Sequence, residues 1–266
     1  MAAKRNPAAN ISRLIDIKVK EKEVSIEASF YDDFKYCVEK LNTKTSNPSP
    51  YYKPSSLHCI RNMYYQRTDS TANLLPISTD GVGIAESGTD RHLRIQYYVS
   101  KMQEQGIDCE WVDVATYIKE NNLTDLEVIE QGEYETKLFN KKYQFRFMTD
   151  GIIKYLGKYY ILEIKTESSS KWLIRRGVDT HHYNQATAYS LNFKIDSVMF
   201  IYENRDVCSK KVYLHTVSEN DRNNLINKLS TCESYVSNHI VPDKPANIER
   251  SICQYCNYRA LCRKDG

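Results

Sequence analysis

Residues 143–166 read YQFRFMTDGIIKYLGKYYILEIKT, and this stretch decides the fold because it carries two strand-like runs around a short turn. The runs at 143–155 and 158–166 are rich in Tyr, Ile and Phe, which favours strands, and Leu156-Gly157 lies between them. In an antiparallel hairpin closed by those two residues, each position before the turn faces the position equally far after it. Asp150 is then expected to face Glu163.

The facing pair is a candidate metal site. Cross-strand neighbours have Cβ atoms roughly 5 Å apart, so one divalent cation could bridge Asp150 and Glu163. Lys165 lies two residues beyond Glu163 and therefore points to the same face, whereas Leu162 and Ile164 point to the other. Such a cation lowers the pKa of a bound water, and an ammonium can orient that water. The alternative is a surface aspartate beside an ordinary Glu–Lys pair.

Two polar pairs at helical spacing flank this hairpin in the sequence. Gly88 and His92 lie four residues apart upstream, and Gln185 and Tyr189 do so downstream. The small Gly88 would allow a close helix approach, and neutral His92 could ligate a metal. The alternatives are a surface histidine and an ordinary helix face with a packed tyrosine.

The order of these motifs, G-x-x-x-H, Asp, E-x-K and Q-x-x-x-Y, resembles the RecB-like branch of the PD-(D/E)XK nuclease superfamily. The resemblance implies that His92, Asp150 and Glu163 ligate Mg²⁺ or Mn²⁺ with the Ile164 carbonyl, and that Lys165 is catalytic together with the two carboxylates. It also implies that Gln185 and Tyr189 support the site and the DNA. Thr149 stands where the family's nominal proline would be.

A basic segment follows the E-x-K strand directly. Lys171, Arg175 and Arg176 could bind phosphates, and Trp172 could stack on a base. A solvated, charged helix end is the alternative.

Cysteines are crowded near the C-terminus. Cys253, Cys256 and Cys262 form C-x₂-C-x₅-C among polar neighbours, and three thiolates need a fourth ligand to hold either tetrahedral Zn²⁺ or an iron–sulfur cluster. Cys59 is the candidate fourth. The remaining cysteines are expected to be ordinary thiols: Cys37, Cys109, Cys208 and Cys232.

One remote cysteine plus C-x₂-C-x₅-C is similar to the iron–sulfur nucleases of the RecB-like branch, including CRISPR-associated adaptation exonucleases and the AddAB nuclease domain. Their single cysteine begins a C-x-R-x-x-x-Y motif, which Cys59, Arg61 and Tyr65 match. The resemblance implies a [4Fe–4S] cluster on Cys59, Cys253, Cys256 and Cys262 that closes the two ends of the chain around the core. Zn²⁺ is the other candidate occupant.

The remaining pattern predicts an α/β fold with a restriction-endonuclease-like core, that is, a mixed central sheet flanked by helices. We expect residues 1–45 to form an N-terminal extension and residues 46–266 the nuclease domain, with the cluster segment at 253–262. Helices are predicted at 28–41, 86–105, 112–119, 179–192 and 219–238, and further strands at 133–140, 197–202 and 211–217.

The amino-acid composition limits the classes of protein to which this chain could belong. The chain has 266 residues, 41% of them hydrophobic, and a net charge of +3, so nucleic-acid binding would depend on local basic clusters. No apolar run is long enough to span a bilayer and no secretory signal is visible, so we expect a cytoplasmic protein without a membrane partner.

The leading hypothesis is a Mg²⁺- or Mn²⁺-dependent DNA exonuclease that prefers single-stranded ends and acts in recombination, repair or end processing. No phosphate-binding loop of a helicase is present, although a helicase, integrase or recombination partner remains open. The alternatives are an endonuclease or CRISPR spacer-processing nuclease, an inactive DNA-binding or recruitment module, and a zinc-stapled adaptor with a fortuitous E-x-K.

Overall fold

The computed structural model describes residues 25–42, 50–68, 78–246, 248, 250–254 and 256–265. The chain divides into two compact units, one of residues 1–43 with 76–82 and one of residues 44–75 with 83–266. Most of the predicted extension over 1–45 lies outside the described residues. Helix α1 (Ile26–Leu41) belongs to the first unit and matches the helix predicted at 28–41.

The secondary structure alternates between helices and strands. The other helices are α2 (Ile60–Thr68), α3 (Thr79–Ser100), α4 (Val114–Glu120), α5 (Ser169–Ile174), α6 (Tyr183–Phe193), α7 (Glu219–Ser237), α8 (Arg250–Gln254) and α9 (Arg259–Lys264). The strands are β1 (Cys109–Val112), β2 (Leu126–Gln131), β3 (Thr136–Asn140), β4 (Phe145–Thr149), β5 (Ile152–Tyr155), β6 (Lys158–Glu167), β7 (Ser197–Asn204) and β8 (Lys210–Thr216). Within the described ranges, no helix has the length and apolar character that crossing a membrane requires.

The strands form two sheets in the larger unit. The central sheet has five strands in the order β1-β5-β6-β7-β8 and is mixed, because β6 and β7 are parallel while the other neighbours are antiparallel. One face carries Phe200 and Tyr202 in the main core with Ala186 of α6, and the other carries Leu162 and Ile164 against Ile95 of α3. The predicted mixed sheet flanked by helices is therefore confirmed.

The hairpin register follows the prediction. β5 and β6 pair from Ile152↔Ile161 to Tyr155↔Lys158, so residues equally distant from the turn face each other. Leu156 and Gly157 both have positive φ angles, 51° and 77°, as a two-residue type I′ turn requires.

The prediction of one strand over 143–155 is wrong. β4 belongs to a three-stranded sheet, β2-β3-β4, whereas β5 belongs to the central sheet. The chain crosses between the sheets at Gly151, whose φ of 149° is unfavourable for residues with a side chain. A Cβ atom at Gly151 would lie 2.5 Å from the Trp111 ring, so glycine is needed for space as well.

Other boundaries differ more modestly. The helix predicted at 86–105 begins earlier, at Thr79, and ends at Ser100, before a 3₁₀ turn that stops at Gly106. The helix predicted at 112–119 begins at Val114, because Asp113 caps it and the short strand β1 precedes it. Strand β2 occupies the predicted connector between 121 and 131.

A buried carboxylate joins α3 to strand β7 of the central sheet. Glu203 on β7 is fully buried, and its carboxylate pairs with Arg91 at 2.8 Å, Arg94 at 2.6 Å and Lys210 at 2.9 Å. Burial alone would raise the pKa of Glu203, but the three cations outweigh it and hold the pKa below its ordinary value. This ion-pair group fixes the position of the helix that also carries His92.

We expect Glu203→Gln to lower the free energy of unfolding at neutral pH by about 1–3 kcal/mol, because a neutral amide at this buried position no longer pairs with the three surrounding cations. A depressed folded-state pKa gives stability that is complete above the unfolded-state pKa and is lost as pH falls through the folded-state pKa. The variant should therefore lose less stability on acidification than the unaltered protein. Urea unfolding across a pH series measures both effects. Glu110→Gln, at an exposed glutamate on β1, is the control, and equal stability of the two variants would contradict the assignment.

Candidate metal and nucleic-acid site

Asp150 lies at the crossing between the two sheets. Its Oδ2 atom accepts a hydrogen bond of 2.7 Å from the Ile164 backbone N–H, and its Oδ1 atom lies 3.3 Å from Nδ1 of His92. The side chain of Gln96 donates a hydrogen bond of 2.8 Å to the Asp150 carbonyl oxygen. Helix α3 and strand β6 thus hold this carboxylate from two sides.

Glu163 is the buried carboxylate of the site, with 2% of its surface exposed. Its Oε1 atom accepts a hydrogen bond of 2.8 Å from Gln185 and forms an ion pair with Lys165. Its Oε2 atom is buried and has no hydrogen-bond partner among the described residues. Burial, opposed by Lys165 and reinforced by Asp150, raises the pKa of Glu163.

Lys165, Gln185 and Tyr189 form a connected chain of hydrogen bonds. Lys165 Nζ donates to Gln185 Oε1 at 3.2 Å, and Gln185 Nε2 donates to the Tyr189 hydroxyl at 2.8 Å. The Tyr189 hydroxyl donates to the Met148 carbonyl at 3.1 Å. Burial lowers the pKa of Lys165, but Glu163 and Asp150 outweigh that effect and raise it. The structure therefore brings together the residues of three separate sequence motifs.

Glu135 is a member of the site that the sequence analysis missed. Each of His92, Glu135 and Asp150 offers one ligand atom, and these three atoms lie within 4.8 Å of one another. The three side chains could therefore hold a metal ion. Burial and the neighbouring Asp150 raise the pKa of Glu135. The sequence pattern placed Glu135 in the strand predicted at 133–140, whereas β3 begins after it, at Thr136. No motif spacing marks Glu135.

These side chains line one cavity with a volume of about 880 Å³. Besides the acidic cluster, Lys165 and His92, its lining includes Lys53, Lys137 and Arg146. Gly88 also lines the cavity, but a Cβ atom there would meet only Thr166 Oγ1 at 4.0 Å. The expectation that Gly88 permits a close backbone approach is therefore wrong.

The basic segment after β6, residues 171–176, contributes no side chain to the lining of that cavity among the described residues. Arg175 pairs with Glu167 and, at 3.1 Å, with Asp179, and its guanidinium lies 4.2 Å from the Tyr202 ring centre. Lys211 covers the Trp172 ring at 4.0 Å from its centre. Two further side chains of this segment, those of Lys171 and Arg176, are exposed. DNA contact by any of these four residues stays a prediction.

The four predicted cluster cysteines line a second cavity, of about 770 Å³. Asn62 Nδ2 donates to Cys256 Sγ at 3.3 Å, and burial raises the pKa of the Cys59 and Cys256 thiols. Among the described residues, the cysteines form no group of three sulfurs within 4.8 Å of one another. All eight cysteines are free, and those expected to be ordinary thiols comprise the exposed Cys37 and Cys208 and the buried Cys109 and Cys232.

Side chains of α2 connect this cavity to the C-terminal segment. Arg61 Nε donates to the Tyr65 hydroxyl at 3.2 Å, and that hydroxyl donates to Asp265 at 2.6 Å. The rings of Tyr65 and Tyr258 have centroids 5.6 Å apart. The region of Cys59 therefore contacts the C-terminal segment, as predicted.

Comparison with known proteins gives no family assignment. No family model matches the chain, and no curated protein matches it. Among solved structures, the crystal structure of SSO0001 is similar with a TM-score of 0.47 and 15% identity, over 90% of this chain and 98% of that one. The complex of LHK-Exo with dAMP has a TM-score of 0.41 and 13% identity, over 72% of this chain and 90% of that one.

A second LHK-Exo structure, the alkaline exonuclease from Laribacter hongkongensis, has a TM-score of 0.37 and 10% identity over the same shares of the two chains. TM-scores below 0.5 and identities of 10–15% are too low to assign a fold or an activity. The functional case therefore depends on the geometry of the site.

We expect Glu135→Gln to weaken Mn²⁺ binding by about 10–100-fold, because it removes one of three anionic or imidazole donors that converge on one point. Loss of the free Mn²⁺ signal in electron paramagnetic resonance titrations measures the affinity. Glu133→Gln changes an exposed glutamate of the same connection and should bind Mn²⁺ like the unaltered protein. Equal affinities of Glu135→Gln and the unaltered protein would remove Glu135 from the site.

Proposed function

We propose that this chain is a metal-dependent deoxyribonuclease with a PD-(D/E)XK core of the RecB-like type. The observation that carries the proposal is Glu163, a buried carboxylate with an unpartnered oxygen, in the same cavity as Asp150 and Lys165. One Glu163 oxygen already pairs with Lys165 and Gln185, but the other is buried without a donor among the described residues. A buried oxygen without a partner is costly, so a cation that binds it stabilises the arrangement. A purely structural Glu–Lys pair gives no reason for an adjacent aspartate and histidine.

The proposed ligands of a divalent cation are His92, Asp150 and Glu163, with the Ile164 carbonyl and with Glu135 as an addition from the structure. Hard carboxylate and carbonyl oxygens, which dominate this ligand set, suit Mg²⁺ and Mn²⁺. When bound, such a cation supplies an activated water and stabilises charge on a phosphoryl oxygen.

The protein's own groups would then do the positioning. Lys165 keeps its proton, because Glu163 and Asp150 raise its pKa, and its ammonium can donate to the attacking water or to a phosphate oxygen. Gln185 holds both Lys165 and Glu163, and Tyr189 anchors Gln185 to the Met148 carbonyl. Gln185 and Tyr189 are therefore proposed as positioning residues.

For the cysteine cavity we propose a [4Fe–4S] cluster on Cys59, Cys253, Cys256 and Cys262. A cavity of about 770 Å³ has room for a group larger than one ion. Buried thiols with raised pKa values become thiolates when a metal binds, and basic side chains around the cavity complement the resulting negative charge. Those side chains are Arg61, Lys244, Arg259 and Arg263. The role proposed for the cluster is to stabilise the closure of the fold.

The proposed substrate is DNA with a single-stranded end, degraded exonucleolytically in recombination, repair or end processing. Lys171, Trp172, Arg175 and Arg176 stay proposed DNA contacts. Endonuclease activity would appear as cleavage of circular single-stranded DNA. Spacer-trimming activity, with an integrase as partner, would appear as shortening of linear ends to a fixed length. An inactive binding module would bind DNA without cleaving it under any metal.

We expect Glu163→Gln and Lys165→Ala each to reduce Mn²⁺- or Mg²⁺-dependent DNA cleavage by about 100-fold or more, because each removes charge stabilisation at the reacting phosphate. Rates are measured on 5′- and 3′-labelled single- and double-stranded DNA, with circular single-stranded DNA alongside. Glutamine keeps the shape of the buried side chain, so the first variant should fold.

Lys154→Ala is the matched control, because Lys154 belongs to the same hairpin but does not line the described cavity. Its cleavage rate should equal that of the unaltered protein. Full cleavage by Lys165→Ala or Glu163→Gln would refute the site, and no cleavage by the unaltered protein with either metal would refute the nuclease.

We expect Cys256→Ser to lower iron content, acid-labile sulfide and melting temperature together, because one ligand of a group that constrains the chain ends is lost. The measurements are made on anaerobically purified protein. Cys37→Ser changes an exposed cysteine and should leave all three unchanged. Zinc without iron in the unaltered protein would favour the zinc-stapled alternative, and an equally stable Cys256→Ser would contradict a stabilising role.

A further inference from the structure

We infer that the exposed face of the three-stranded sheet, extended by residues 51–53, is the surface along which a single DNA strand enters the site. This inference builds on the proposed nuclease function and adds a binding surface to it. The surface, called here the entry face, consists of Tyr51, Lys53, Lys137, Phe139, Arg146 and Met148.

The pairing of the strands places these residues on one face. Lys137 faces Met148 and Phe139 faces Arg146 across the β3–β4 ladder. The alternate residues of both strands are buried, so the residues of the entry face point away from the core. This side of the sheet is thus available to a ligand.

Residues 51–53 extend the sheet at the free edge of β4. Tyr52 bridges Phe145 in parallel, its N–H donates to the Gln144 carbonyl at 2.8 Å, and the Arg146 N–H donates to the Tyr52 carbonyl at 3.0 Å. The Tyr52 side chain is buried. Its neighbours therefore turn to the opposite side, and the Tyr51 ring lies 4.8 Å from the Phe139 ring.

The charge of the entry face suits a polyanion. Neither Lys53 nor Arg146 has an ion pair or side-chain hydrogen bond with any described residue, and both are exposed. A guanidinium and an ammonium that are free of acidic partners can bind phosphates without breaking an existing pair. Lys137 is already paired with Glu130 at 2.5 Å, so of the three cations it is the least available to a phosphate.

The acidic residues of this sheet lie at its far edge. Glu127 and Glu130 belong to β2, which is separated from β4 by β3. Both are paired, Glu127 with Lys141 at 3.0 Å and Glu130 with Lys137. A strand that follows β4 and residues 51–53 therefore avoids the acidic edge.

The entry face is continuous with the acidic site. Lys53, Lys137, Arg146 and Met148 line the same cavity as Asp150, Glu163 and Lys165. Met148 is 50% exposed, and it offers apolar contact to a base next to the site. Aromatic rings such as Tyr51 and Phe139 are the groups on which unpaired bases stack. Free cations, exposed apolar groups and acidic ligands thus follow one another along one surface.

The test measures binding of a fluorescein-labelled single-stranded oligonucleotide to the intact chain by anisotropy, without added divalent metal, so that no cleavage occurs. We expect Arg146→Gln and Lys53→Gln each to raise Kd by roughly 3–10-fold and to reduce the slope of log K against log salt by about 0.7, the value for one phosphate contact on a single strand. Arg146→Lys keeps the charge and should restore most of the affinity and the slope.

Lys158→Gln and Arg176→Gln are the comparison variants. Lys158 is exposed at the hairpin turn, at the opposite end of β6 from Lys165, and its loss should change neither Kd nor slope. Arg176 is exposed in the basic segment after β6, and its loss should weaken binding less than the loss of Arg146. Photo-crosslinking with iodouracil-containing DNA should label residues 137–148 in preference to 171–176.

The outcomes separate this inference from the proposed function. If Arg146→Gln and Lys53→Gln bind like the unaltered protein while that protein cleaves DNA with Mn²⁺, the entry face is overturned and the nuclease stands. If the predicted loss of affinity is observed but the unaltered protein does not cleave, the entry face stands and the nuclease fails. Crosslinks confined to 171–176, or no measurable binding of the oligonucleotide, would overturn the entry face.

Discussion

The candidate site depends on how the chain passes from one sheet to the other at Asp150 and Gly151. The backbone ladder of β5 and β6 ends at this point, and the Asp150 carboxylate accepts the next backbone N–H, that of Ile164. A side chain thus replaces a backbone acceptor at the break, which fixes the carboxylate beside β6. His92 and Glu135 converge on the same carboxylate from a helix and from a connection of the second sheet.

The sequence was sufficient to predict the hairpin register but not this crossing. A two-residue turn at Leu156-Gly157 determines which residues face each other, so Asp150 could be placed opposite Glu163 from numbers alone. The run 143–155 reads as one strand because both halves are rich in β-branched and aromatic residues. At the change of sheet, Gly151 packs under Trp111, a contact between residues that are far apart in the sequence.

The other predicted site residues differ in how closely the structure follows the sequence prediction. Glu135 was expected on an ordinary strand, and its closeness to Asp150 follows only from the placement of the second sheet. The resemblance to iron–sulfur nucleases grouped Cys59 with the C-terminal cysteines, and all four line one cavity. Arg175 looked like a free cation in the sequence, yet Glu167 and Asp179 hold it from within the fold. The motifs therefore identified residues from distant segments where a family pattern connects them, and missed Glu135 and the partners of Arg175, which no such pattern marks.

The packing of Trp111 over Gly151 links the site to the least supported strand of the central sheet. β1 has four residues, lies at the sheet edge and pairs only with β5 within the described sheet. Edge strands of this length open with lower free energy than the surrounding core. Local opening of β1 would remove the indole from the Gly151 backbone, whereas the Ile164 N–H and His92 would still hold the Asp150 carboxylate from β6 and α3. The stability of the sheet crossing and the direction of the carboxylate thus depend on different parts of the fold.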